Sequence, residues 1–403
     1  MEEQPFILGT NYWPQNTAMF MWRNFDRNSI NEDMSVIADL GLSCVRIHLL
    51  WEDFQPEPRK VVIGMLDRLV EIFEMAGDRD LLVMPALFTG HVGGFNWLPS
   101  WMLLATTDES RYPVFSGNKV RLNKPKNPYT EPEIMEAQVF FLREVMSAVS
   151  GHTALLAWDL GNKPAVWTVP PVESAAELWL QTMSETLKER DDAVPITLSF
   201  QTGDLEKMQG FNPKMLGRYL DYLSVHVQPR TLSWADGPLD VTVLPFVGAI
   251  VEWLGEKPAL IQEVGVPTIP TLPGSAGQIS SFKKSSYLVD EQESAKFAER
   301  ALLLLRRFNR IGAFWRSYGD YHPYIWDWPP LDKRVDERFY GILRHDGSPK
   351  PLAQAFRSEA AGRSEADVVT DWIDIGKEEF YQNSSEQLRR LYGRFRDYFS
   401  LLP

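Results

Sequence analysis

Glu263 closes an apolar run, PALIQEVG (Pro258–Gly265), where a carboxylate would be costly inside a core and useful at the mouth of a pocket. A second apolar run, LLAWDLGNKPAVW (Leu155–Trp167), ends on Asn162 and Lys163. Two carboxylates about 5–5.5 Å apart across a sugar bond are what retaining glycoside hydrolysis needs, one as nucleophile and one as acid/base. Here the two strand ends offer one carboxylate and one amine. Each also has a plainer reading. Glu263 could sit in solvent outside the fold, and Lys163 could be an ordinary ion-pair partner. Asp159, two residues before Gly161, reads as a buried structural carboxylate, while Glu52 and Asp53 read as caps or bridges. His48 and His226 lack the HxxxH or clustered Cys/His/Asp spacing of a metal site, so neither metal nor organic cofactor is expected.

Groups at two strand ends can meet only if a sheet brings them together. Short apolar runs alternate with amphipathic stretches along the chain, the pattern of repeated βα units. Strands are predicted at 6–11, 44–49, 81–87, 155–160, 196–200, 222–227, 259–263 and 312–315. Helical patterns include 30–40, 62–76, 132–149, 175–189 and 291–308. Eight such strands separated by helices fit a (β/α)₈ TIM barrel, whose catalytic groups come from the C-terminal ends of the strands. A doubly wound sheet is the alternative, but no glycine-rich phosphate turn follows the first strand. Long segments rich in Trp, Pro, Gly and Asn follow the third, sixth and eighth strands (88–126, 228–244 and 316–338), as an active-site rim would require. The strand pattern stops near Pro351. The expected organisation is a barrel over 1–351 and a C-terminal helical extension over 352–403. QLRRLYGRFRDYFSLL (387–402) is its amphipathic helix, docked on the barrel.

The net charge of −13, from 41 basic and 54 acidic residues, argues against nucleic-acid partners and anionic membranes. Aromatics make up 12% of the chain, which suits core packing first and sugar-stacking platforms second. The acidic start, MEEQPFILGTNYWP, and the single cysteine, Cys44, fit a cytoplasmic location.

Residues 158–164, WDLGNKP, resemble the WDLGNEP motif of the clan A glycoside hydrolases, the superfamily of the family 5 cellulases and mannanases. The resemblance runs from about Gly9 to Pro351, through GTNYWP (9–14), VRIHLLWEDFQP (45–56), FTGHVGGFNWLPSW (88–101), YLSVHVQP (222–229), QEVG (262–265), GAFWRSYGDY (312–321) and FYGILRHDGSPKP (339–351). It implies Glu263 as nucleophile, Asn162 as the ligand of the sugar 2-hydroxyl, and Arg46 as the support of the nucleophile. It further implies His91, Trp97, His226 and Tyr12 as sugar contacts and Trp315 as the floor of the first subsite. Two positions depart from the family. Lys163 stands where the acid/base glutamate belongs, and Gln228 stands where a tyrosine normally hydrogen-bonds the nucleophile.

A lysine starts near a pKa of 10.4 and a glutamate near 4.3, so Lys163 holds its proton too firmly to donate it well and cannot act as base while charged. Hydrolysis of ordinary β-glycosides is therefore expected to be impaired. Four readings remain open: a carbohydrate-binding pseudoenzyme, a disabled or redesigned glycosidase, a hydrolase for leaving groups that need no protonation, and a barrel using Lys163 as an amine nucleophile. The expected ligand in the first three is a β-linked sugar or glycoside.

Overall fold

The computed structural model describes residues 6–207, 210–269, 287–308, 311–359 and 370–400. Eight parallel strands close into a barrel: β1 (Ile7–Tyr12), β2 (Cys44–Leu50), β3 (Leu82–Thr89), β4 (Trp158–Asn162), β5 (Ile196–Gln201), β6 (Leu223–His226), β7 (Ala259–Val264) and β8 (Gly312–Trp315). β8 pairs with β1, Ile7 opposite Gly312, and closes the ring. The barrel and its helical surround match the expected architecture, with most strand limits within one or two residues. β4 starts three residues later than predicted because Leu155 makes only a single bridge to Val83 before the chain turns into the strand.

Helices separate the strands, among them Arg27–Asp39, Ile63–Gly77, Pro132–Val149, Glu173–Lys188, Val243–Gly255 and Glu291–Phe308. Local chemistry sets their starts. The Asp26 carboxylate accepts from the backbone N–H of Asn28 and Ser29, and Pro132 opens its helix where no backbone donor is needed. Val243–Gly255 is apolar on nearly all sides, so it must be covered on two faces. The barrel covers one. The C-terminal helix Ser384–Ser400 covers the other, with Tyr392 and Phe395 against Phe246 at ring separations of 5.0 and 5.6 Å.

Inside the barrel, side chains stack in layers as strand alternation requires. Cys44, Met84, Ala157, Tyr222, Leu260 and Phe314 form an apolar layer at the base. Above them lies a polar layer. Arg46 on β2 pairs with Asp159 on β4 at 2.6 Å, with neither side chain exposed, and Gln262 on β7 donates to the same carboxylate at 3.1 Å. Toward the C-terminal ends the pairing slips, between Asp159 and Asn162 on β4 and near Val225 and His226 on β6. Such irregularities re-aim side chains at strand ends, and here they lie beside the site.

The segment 88–126, expected as a long loop, holds a four-stranded sheet of His91–Val92, Phe95–Trp97, Glu109–Ser116 and Lys119–Asn123. Its strands are short and interrupted by the Gly93–Gly94 turn, so no period-two pattern is long enough to read. No described helix is long and apolar enough to cross a membrane.

Candidate active site

At the C-terminal end of the barrel, β4 and β7 deliver Lys163 and Glu263 to one another. Lys163 Nζ lies 3.4 and 3.5 Å from the two carboxylate oxygens of Glu263. Gly161 lets β4 lie close against β3, because a Cβ there would lie 2.8 Å from the carbonyl oxygen of Phe88. Lys163 itself adopts the left-handed conformation (φ 54°, ψ 59°), which is uncommon for a residue with a side chain. Its backbone N–H donates to the Ser199 carbonyl at 3.1 Å.

Glu263 is the most heavily served group in the site. Arg316 Nη1 donates to it at 3.1 Å, Gln228 Nε2 donates to the same oxygen, and His226 Nδ1 lies 3.2 Å from the other. The amide of Gln228 thus stands in for the tyrosine hydroxyl that the family resemblance leads one to expect. Burial alone would raise the Glu263 pKa, but Arg316 and then Lys163 overcome it and hold the carboxyl well below its usual range. Burial lowers the Lys163 pKa by more than its pairing with Glu263 raises it, so the amine sits below its usual range. Burial also pushes the imidazole of His226 down to about 3, so the ring is neutral at physiological pH.

These groups border a cavity of about 410 Å³ lined also by His91, Tyr112, Gln201, Arg230 and Arg334. A second space of about 40 Å³ lies across Lys163 and Glu263, bounded by Asn11, Trp13, His48, Asn162 and Tyr340. The Lys163–Glu263 pair therefore sits between a roomy outer chamber and a small inner one.

Several residues expected in the site are held elsewhere. Tyr12 points outward from β1, where its hydroxyl donates to Asp33 at 2.7 Å alongside that of Tyr318 at 2.9 Å. Trp315 also points outward, packing on Phe297 and Phe356 of the surrounding helices. Strand alternation explains this: Phe314 faces the barrel interior, so Trp315 faces the helices and Arg316 faces the site. Trp97 donates to the Val92 carbonyl and packs on Phe20 and Phe115, away from the cavity. Arg46 lies one layer below Glu263. It binds Asp159, Asn11, Ser199 and the side-chain oxygen of Asn162, and Arg316 is the guanidinium on Glu263. Asn162 is fixed by Arg46 and by donation to the His91 carbonyl at 2.7 Å. His91 is held to Asn96 at 2.8 Å and packs on Tyr112. Glu52 and Asp53 bridge to Arg23.

The residues that sequence reading missed are Arg316, Arg334, Glu337, Arg230, Trp13 and Tyr340. Arg316 carried a signal, a charged residue one alternation step beyond Phe314. Arg334 and Glu337 come from the segment after β8, which has no period to read.

The Asp33 cluster gives a pH prediction. Burial pushes this carboxyl up to about 6 against the opposing donation of two tyrosine hydroxyls. An acid whose folded pKa is raised favours the fold while protonated and loses that advantage as pH rises through the folded value. Asp33→Asn should therefore flatten the decline in stability between about pH 4 and pH 6, by on the order of 2 kcal/mol. Urea melts of both proteins across that range check it, and parallel pH profiles would count against it.

No protein-family model matches the chain, and no curated protein matches its sequence. Solved structures do. A GH5_18 protein from Streptomyces cattleya in complex with Manβ1-4GlcNAc superposes with a TM-score of 0.74 at 19% identity, covering 96% of this chain and 93% of that one. A GH5_18 protein from Bifidobacterium longum subsp. infantis gives 0.72 at 18% identity, covering 90% and 80%. An exo-β-1,4-mannosidase from Opitutaceae bacterium strain TAV5 gives 0.70 at 21% identity, covering 88% of this chain and 59% of its own. These likenesses show the fold, a (β/α)₈ barrel with helices between its strands.

Proposed function

We propose that this chain recognises a β-linked sugar in a retaining-glycosidase barrel whose hydrolytic step is impaired by Lys163. One observation carries the reading: Lys163 Nζ sits 3.4 Å from Glu263 at the ends of β4 and β7, the places of the two catalytic carboxylates in the resemblance. In that mechanism Glu263 attacks the anomeric carbon while the partner group protonates the departing oxygen, then deprotonates the incoming water. Glu263 is ionised and buried, as a nucleophile should be. As an ammonium paired with Glu263, Lys163 cannot take the proton from water. Its charge also competes with the anomeric carbon for the electrons of Glu263.

The structures of similar fold are described as bound to Manβ1-4GlcNAc or GlcNAc, or as a β-1,4-mannosidase, which makes a β-mannoside the first ligand to try. The expected result is saturable binding of Manβ1-4GlcNAc by calorimetry, with no mannose or N-acetylglucosamine product after prolonged incubation. No binding to any β-mannoside or β-glucoside would remove the reading. A cytoplasmic location belongs to it too, supported by the single buried cysteine, Cys44.

The burial of Lys163 supports a second reading, an amine that forms an imine with a carbonyl substrate. Borohydride reduction in the presence of a reducing sugar separates the two: a stable mass increase at Lys163 favours the amine nucleophile.

A further inference from the structure

The outer chamber has a charge pattern that neutral sugars do not require. Ion pairs run in series along its wall: Arg230 with Asp336, Asp336 with Arg334, Arg334 with Glu337, Glu337 with Arg316, Arg316 with Glu263, and Glu263 with Lys163. Cations stand at both ends of the series, so it holds one more positive charge than negative. Farther along the lining, Lys207 and Glu206 offset each other. Asp204, whose carboxylate accepts from the backbone N–H of Gln201, feels the Lys163 charge and offsets part of that excess. The chain as a whole is strongly acidic, at −13, so this local excess of cations runs against the average.

Donor counting points the same way. An ammonium has three N–H donors and a guanidinium five. The described contacts of Lys163 Nζ are the two long ones to Glu263, at 3.4 and 3.5 Å. Arg230 Nε is buried and, among the described residues, has no acceptor. Both side chains line the same chamber. Arg230 Nε lacks an acceptor and Lys163 Nζ has only long contacts, so a ligand rich in acceptors would give these side chains better partners.

We infer that the sugar bound in the outer chamber carries an anionic group, a carboxylate or a phosphate, received by Lys163 and the Arg230–Arg334 wall. The inference rests on the sugar-binding reading and narrows its ligand class. Guanidinium forks suit planar carboxylates and phosphates alike, so the chemistry shared by the two is what the wall selects. Such a group would also draw the Lys163 ammonium away from Glu263 and free the nucleophile.

The test compares calorimetric affinities for methyl β-mannoside, methyl β-glucoside, their uronates and their 6-phosphates. At least one anionic glycoside should bind roughly tenfold or more tightly than its neutral parent. That preference should shrink between about 0.05 M and about 0.5 M NaCl, as screening shortens the reach of the cations. Lys163→Gln and Arg230→Gln should each bring the anionic-to-neutral ratio toward one, with far-ultraviolet circular dichroism and melting temperature confirming a folded chain. The salt dependence of the unaltered protein keeps the test valid if a variant does not fold. Neutral glycosides binding as tightly as both anionic forms would overturn the inference and leave the sugar-binding reading standing. Binding of none of them would overturn both. A preference for uronates over phosphates, or the reverse, identifies the anionic group.

Discussion

Lys163→Glu is expected to raise the hydrolysis of a β-glycoside with a poor leaving group by about 10²- to 10⁴-fold, the usual worth of a positioned general acid–base. The substitution acts twice. It supplies a proton donor where Lys163 now stands, and it removes the ammonium 3.4 Å from Glu263. Gln228, His226 and Arg316 remain to hold Glu263 in place. A new carboxyl beside Glu263 would be pushed upward by burial and by its negative neighbour, the direction a general acid needs. Lys163→Gln is the control. It removes the ion pair without supplying an acid, so it should recover little of the gain. If the glutamine and glutamate variants were equally active, the lysine would be inhibiting through its charge alone.

The second large effect concerns stability. Arg46 and Asp159 form a fully buried pair at 2.6 Å in the polar layer beneath the site. Arg46→Leu leaves Asp159 buried without its counter-ion and should cost about 3–5 kcal/mol. It also releases the side-chain oxygen of Asn162, which accepts from both terminal nitrogens of Arg46 at 3.1 and 3.2 Å. Removing both charges, as Arg46→Leu with Asp159→Leu, should recover much of the loss, because buried pairs often do little better than well-packed apolar residues. Urea unfolding of the single and double variants measures this. A single variant within about 1 kcal/mol of the unaltered chain would mean that water reaches the layer.

The barrel was legible in the chain because its signals are long and periodic: eight short apolar runs with amphipathic stretches between them. The meeting of Lys163 and Glu263 followed from their positions at the ends of the fourth and seventh runs. Misplacement began where alternation should have outranked resemblance. Phe314 fills the barrel base, so Trp315 must face the helices and Arg316 the site, as the structure has it. Tyr12 follows the same rule, pointing out to Asp33 while its neighbour Asn11 points in to Arg46. Arg46 was placed one layer too high. Its partner Asp159, and Gln262 on the same carboxylate, lie below Glu263, and Gln262 and Glu263 both reach polar partners inside the barrel although they are adjacent in the chain. A slip of pairing near the tops of β6 and β7 accompanies that arrangement, and no residue pattern announces such a slip. Arg334, Glu337 and Arg230 were not legible because ion pairs, not a repeating pattern, bring them to the wall.

If Lys163 leaves the barrel without a general acid while Glu263 remains a competent nucleophile, the rate should depend steeply on the leaving group. The most direct measurement is hydrolysis of a series of aryl β-glycosides with increasingly acidic phenols, by the unaltered chain and by Lys163→Glu. A wide gap is expected for phenols that need protonation, narrowing steadily as the phenol becomes able to leave unaided. An unaltered chain that cleaves the least acidic members as fast as Lys163→Glu would contradict it.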